Sequence, residues 1–240
     1  MTTKMKVIFT LFIILLNLTI IGSKAEGSFP PEFYEEESFK WNIENISSNI
    51  NQWYNVSSFS FVANWTAQVN DLLSFAVTTS KVIDEKDYLV GNLEIGNLSL
   101  KADCQDIGFN LVLSIYPWYG GLVALEKNWE TITATPPFNG SNVTVSFNEI
   151  KTIFGHEVEG IKIAYDDGFQ QSELLYEPIT GILLSAVTSS GNFWLELHLN
   201  QTTIPLPSPS TNISLTGIMF FLSGFIIIFF IKKITKRKII

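Results

Sequence analysis

The stretch Leu174–Leu197, LLYEPITGILLSAVTSSGNFWLEL, decides the fold class. Gln171 to Tyr176 reads as a strand that runs into Glu177-Pro178-Ile179-Thr180-Gly181, with proline and glycine where a tight turn needs them. Ile182 to Thr188 is the next strand, and Ser189-Ser190-Gly191-Asn192 turns the chain again. In the last strand Phe193, Leu195, Leu197 and Leu199 alternate with Trp194, Glu196 and His198. A period of two puts these sets on opposite faces of a sheet. Short turns between successive strands predict an antiparallel meander.

The same reading extends upstream. Val143, Val145 and Phe147 alternate, as do Ile161, Ile163 and Tyr165 before a turn at Asp166-Asp167-Gly168. Phe39-Lys40-Trp41-Asn42-Ile43 alternates as a first strand, whereas Asn45 to Asn55 is polar and carries no clear period. Phe59, Phe61, Ala63, Trp65, Ala67 and Val69 predict a long half-buried strand, closed by a turn at Asn70-Asp71. Leu72 to Thr79 returns as a strand. After the charged turn Asp84-Glu85-Lys86-Asp87, Tyr88 to Ala102 is one strand or a pair around Gly91 and Gly96.

At Asp103 the period changes. Asp103 is a helix N-cap, and Cys104, Ile107, Leu111 and Ile115 follow at helical spacings until Pro117. After Gly120-Gly121, Leu122, Leu125, Trp129 and Ile132 repeat the spacing until Pro136-Pro137. The expectation is an α+β domain over residues 39–200, with a helical insert at about 103–135. A curved, mostly antiparallel half-barrel sheet covers the apolar faces of two helices.

The two ends describe a topology. Residues 1–25 have the form of a secretory signal peptide: Lys4 and Lys6, an apolar run from Val7 to Ile21, then Ser23-Lys24-Ala25 before a cut. An uncleaved N-terminal anchor is the alternative. Residues 26–38 are an acidic lead-in, and 201–212, rich in proline, serine and threonine, an extended stalk. Residues 213–231 carry no charge and, as a helix, span about 28 Å, matching a bilayer core. The basic tail 232–240 then stays cytoplasmic. The expectation is a single-pass cell-membrane protein with its ectodomain outside.

Of 15 Lys and Arg, three precede residue 26 and five follow residue 231, while all 23 Asp and Glu lie between. Seven lysines against 23 carboxylates leave the body near −16. Such a surface repels nucleic acid, and that class is excluded. The one arginine, Arg237, is in the tail, so the ectodomain has no guanidinium fork for phosphate or carboxylate. Cys104 is the only cysteine, so no internal disulfide forms; an exported chain without disulfides points to a prokaryote. Asn45, Asn55, Asn64, Asn97, Asn139, Asn142, Asn200 and Asn212 stand in Asn-x-Ser/Thr, either by chance in an Asn-rich chain or as glycosylation acceptors.

The segment Leu174–Leu197 resembles the YDxxTGxLL strand–turn–strand signature of membrane-anchored archaeal ectodomains of the Asgard group. NLVLSIYPWYGGL (Asn110–Leu122) followed by Asn128-Trp129 is also similar to theirs. This chain departs at Glu177, where the signature has aspartate, and at Gly120, where a proline is common. The Glu-x-x-Thr-Gly turn bears a looser likeness to lipoprotein carriers of the LolA type. That likeness implies a half-barrel that holds acyl chains against its helices.

No residue constellation for catalysis emerges. His156 and His198 are the only histidines and lack the ligand spacing of a zinc site. Asp84, Glu85 and Asp87, or Asp166 and Asp167, do not match a calcium loop. No metal or cofactor is expected. Tyr116, Trp118, Tyr119 and Trp129 are the ligand-binding candidates. They either plug the end of the core, or gate an apolar cavity for a lipid-like ligand, or form a patch for a surface protein partner. The expected function is a non-catalytic, membrane-anchored binding or surface protein. A carrier or sensor of apolar ligands is the alternative, and an enzyme comes third.

Overall fold

The computed structural model describes residues 30–83, 86–115, 120–125, 129 and 141–207. Its strands are β1 (Ser38–Ile46), β2 (Asn51–Asn55), β3 (Ser60–Trp65), β4 (Leu72–Ile83), β5 (Lys86–Ile95) and β6 (Leu98–Asp103), then β7 (Asn142–Ile153), β8 (His156–Asp166), β9 (Gln170–Tyr176), β10 (Leu183–Ser190) and β11 (Phe193–Thr202). Nine of them form one sheet in the order β6-β5-β4-β1-β11-β10-β9-β8-β7, while β2 and β3 pair with each other. The described neighbours in both sheets are antiparallel. The expected antiparallel, β-rich α+β domain is therefore present.

Two meanders, β4-β5-β6 and β7 to β11, are joined through β1. Phe39 lies opposite Thr202 on one side and opposite Phe75 on the other. The first strand thus pairs with the last, which ties the termini of the domain together. The inner face carries Phe39, Trp41, Ile43, Phe75, Leu93 and Leu197, all fully buried. Burying a side chain of this size contributes about 1.5–3 kcal/mol before entropy is counted. Trp41 also donates its indole N–H to the Leu183 carbonyl at 2.7 Å.

One helix, α1 (Cys104–Asn110), is present among the described residues. Asp103 caps it as expected, accepting from the Asp106 N–H at 2.7 Å and pairing with Lys81. The expected run to Ile115 is corrected. Leu113 N–H donates to the Gly108 carbonyl and Val112 N–H to that of Phe109, with Val112 at φ 58°. This is a Schellman closure, with a β-branched residue where glycine is usual. At this end the Asn110 side chain grips both the N–H and the carbonyl of Tyr54 at 2.8 Å. Leu111, Leu113 and Ile115 are all buried, but by a loop. Thr188 pins that loop by donating to the Val112 carbonyl at 2.7 Å.

A second helix beginning at Leu122 is also corrected. Val123 bridges Ile182, Leu183 donates to the Leu122 carbonyl, and Ala124 donates to that of Gly181. Backbone pairing with the entry to β10 takes the groups that a helix would have used. Residues 126–128 and 130–135 lie outside the described residues.

The strand expected over Phe59–Val69 is shorter and mostly outward. Trp65 is fully buried, whereas Phe59 is 84% exposed, and Phe61 and Val69 are exposed. A two-stranded ribbon twists strongly along its length. Trp65, which packs edge-on against Phe193 at 6.4 Å, and Trp53 on β2 are the ribbon side chains that reach the core. Upstream of β1 the chain makes a 3-10 turn, Pro31–Tyr34, and the buried Tyr34 hydroxyl donates to the Thr180 carbonyl. Among the described residues no helix is long and apolar enough to cross a membrane. The segments 1–25 and 213–231 lie outside them.

Candidate functional site

The outer face of the sheet is where polar side chains meet. Along β11, buried Leu195, Leu197 and Leu199 alternate with Trp194, Glu196 and His198. The register then builds a row across six strands: Asn45, Glu196, Val187, Glu173, Ala164 and Thr144. These residues, with Trp194, line a groove of about 550 Å³.

Curvature makes this face a groove. Three strands separate β7 from β11, which in a flat sheet would put them about 19 Å apart. Yet Lys151 Nζ on β7 lies 3.4 Å from His198 Nε2 on β11. The sheet therefore curls toward its outer face, and a bulge in β7 between Ser146 and Glu149 provides the bend.

The groove has an apolar floor and polar walls. Val187 is 53% exposed although it sits mid-strand, with a glutamate opposite it on each side. Trp194 is 49% exposed, and its indole N–H donates to Asn45 Oδ1 at 3.1 Å, which fixes the ring. Glu173 faces Lys162 at 3.7 Å, and Glu196 lies 3.8 Å from His198. Both contacts are long and solvated, and such pairs contribute about 0–1 kcal/mol.

Burial and the nearby Lys151 ammonium lower the pKa of His198, against the opposing pull of Glu44 and Glu196. The folded chain thus prefers the neutral imidazole. The contribution of His198 to stability is complete above the unfolded value of about 6.5 and is lost as pH falls toward the depressed folded value. His198→Gln should therefore flatten the fall in urea midpoint between pH 7 and pH 5. An equal fall in both chains would remove His198 from the account.

The residues singled out in the sequence have mixed placements. Trp129 is buried and stacks at 5.7 Å and 34° on Tyr176, so it belongs to the core and not to the groove. Tyr116, Trp118 and Tyr119 lie outside the described residues, as do Asn139 and Asn212. Asn45, Asn64, Asn97, Asn142 and Asn200 are exposed, and Asn45 and Asn142 line the groove. Asn55 is partly buried, donating to Asp106 and accepting from Ser58. A glycan on Nδ2 would compete with the contact to Asp106.

Two other features have structural explanations. Glu177 is buried, and its carboxylate accepts from Ile179 N–H, Thr180 N–H and the Thr180 hydroxyl. Glu-x-x-Thr-Gly is thus a self-capped turn, with Gly181 at φ 71° completing it. Cys104 is buried, and burial, aided by the charge of Asp103, pushes its thiol up to about 12. It is an inert core residue, and the lowered pKa that a helix N-terminus could confer is absent.

The acidic turn at Asp166-Asp167 uses its own carboxylates. Asp166 accepts from Gly168 N–H, and Asp167 accepts from the N–H groups of Phe169 and Gln170. Among the described residues no three His, Cys, Asp or Glu are grouped to hold a metal ion. The sequence separated Trp194, Glu196 and His198 from the core, but not their meeting with Glu173 and Val187, which is set by register. Compared with known proteins, this chain matches no family model, no curated protein and no solved structure.

Proposed function

We propose that this chain is a membrane-tethered, outward-facing binding protein without catalytic activity, and that its ligand seats on the outer face of the curved sheet. The carrying observation is the groove itself, where a half-exposed tryptophan and mid-strand valine stand among amides and carboxylates. A concave site with an apolar floor and a few fixed polar groups is the usual form of a ligand site. The charge-free segment 213–231 and the basic tail behind it support the tether.

The curved antiparallel sheet also favours a second reading, the half-barrel carrier of acyl chains. Against it, the inner face, where that likeness puts acyl chains, is filled by Phe39, Trp41, Ile43, Phe75, Leu93 and Leu197, all fully buried.

Native mass spectrometry of the full chain, extracted gently from its host membrane, tests the reading. A discrete adduct that is lost in Trp194→Ala is expected. An adduct lost only in Trp118→Ala would move the site to the 116–119 segment, and a bare mass would leave the groove without a ligand.

A further inference from the structure

The row Glu196–Val187–Glu173 has a specific form. Two carboxylate-bearing residues bracket one exposed apolar side chain, with Val187 opposite Glu196 on β11 and opposite Glu173 on β9. Their strands are two interstrand spacings apart, which separates the two backbones by about 10 Å. Ala164 extends the floor beyond Glu173, and Trp194 stands beside Glu196 at the other side. The tryptophan is held by Asn45 and remains 49% exposed.

An apolar strip between two anions, next to an indole, matches an alkyl chain with an ammonium group at each end. The chain would cover Val187, the ammonium groups would reach the carboxylates on either side of it, and the indole would add cation–π attraction. The internal cations near these carboxylates are weak competitors. Lys162 lies 3.7 Å from Glu173 with both side chains exposed, and His198 lies 3.8 Å from Glu196 with Lys151 behind it. A body near −16 without arginine would also concentrate organic cations around it.

We infer that the groove binds primary ammonium groups carried on a flexible alkyl chain, the chemistry shared by linear polyamines and lysine side chains. This inference rests on the proposed binding role of the groove. Acyl chains are not the class, because they offer no hydrogen-bond donor to the two carboxylates.

Isothermal titration of the full chain in non-ionic micelles tests it, with 1,5-diaminopentane as probe and 1,5-pentanediol as its neutral match. Saturable binding of the diamine and none of the diol is expected. Glu173→Gln and Glu196→Gln should each weaken binding by at least about tenfold, and Trp194→Ala should weaken it too. Glu157→Gln, on an exposed site outside the groove, should leave it unchanged. A lysine-rich peptide in a parallel arm separates the sources. Binding of the diamine alone assigns free amines, binding of the peptide alone assigns lysine side chains, and either retains the ammonium chemistry.

Equal binding of the diol, an equal loss in Glu157→Gln, or no binding in either arm would overturn it. A native adduct that is lost in Trp194→Ala but survives both glutamine variants would overturn the amine assignment and keep the groove. An adduct indifferent to Trp194→Ala would remove the groove reading itself.

Discussion

Trp41→Ala is expected to lower the unfolding free energy by about 4–8 kcal/mol. Trp41 is fully buried on β1, the strand through which the two meanders are joined. Removing the indole leaves a cavity against Phe39, whose ring centroid is 6.0 Å away. It also leaves the Leu183 carbonyl without the donor it has at 2.7 Å. Large aromatic truncations cost about 3–5 kcal/mol, and an orphaned buried acceptor adds about 1–3. Domains are commonly stable by only about 5–15 kcal/mol, so this single change removes a large share of the total. Trp41→Phe keeps much of the volume and loses the donor, and should cost less than half as much. Urea midpoints of the three chains provide the check. Equal losses for phenylalanine and alanine would assign the effect to the hydrogen bond and not to packing.

Gly96→Ala is the second large effect, expected at about 3 kcal/mol or more. Gly96 turns β5 into β6 at φ 56°, and a Cβ there would stand 1.9 Å from the Thr66 carbonyl oxygen and 2.8 Å from Ala67 Cα. These are backbone atoms, so no rotamer change relieves the collision. The contact also holds the end of β3 in place, since Asn97 N–H donates to the Thr66 carbonyl and Thr66 N–H to Asn97 Oδ1. Gly155→Ala is the matched control. It too has positive φ, 78°, but nothing lies within 4 Å of its Cβ. It should cost only the conformational term, about 1–2 kcal/mol. If both variants lose the same stability, the collision has been absorbed by a shift of the β3 exit.

The strands between Gln170 and Thr202 were legible because their information is local, whereas of β7 and β8 only 143–147 and 161–165 show an apolar period, and Phe147 is turned outward at the bulge. Alternation assigned the faces of β11, and Gly191 turned it back on β10 where the sequence placed the turn. β2 was not legible, since NQWYN has one buried residue, Trp53, and no apolar period around it. The spacing from Cys104 to Ile115 was read as helical along its whole length. Apolar spacing reports which residues are buried, and a loop pinned by Thr188 buries Leu111, Leu113 and Ile115 equally well. The same limit applies at Leu122, where pairing with β10 replaced a helix.

Sequence alone determined the β-rich class, the Asp103 cap, the turns of the last meander and the outward set Trp194, Glu196 and His198. Each depends on residues within a few positions of one another. Only the tertiary structure decided that β1 lies between β4 and β11, that Glu196 and Glu173 flank Val187, and that Lys151 reaches His198. Register and curvature join positions far apart in the chain. They follow from packing a twisted sheet around one core, which no local pattern encodes.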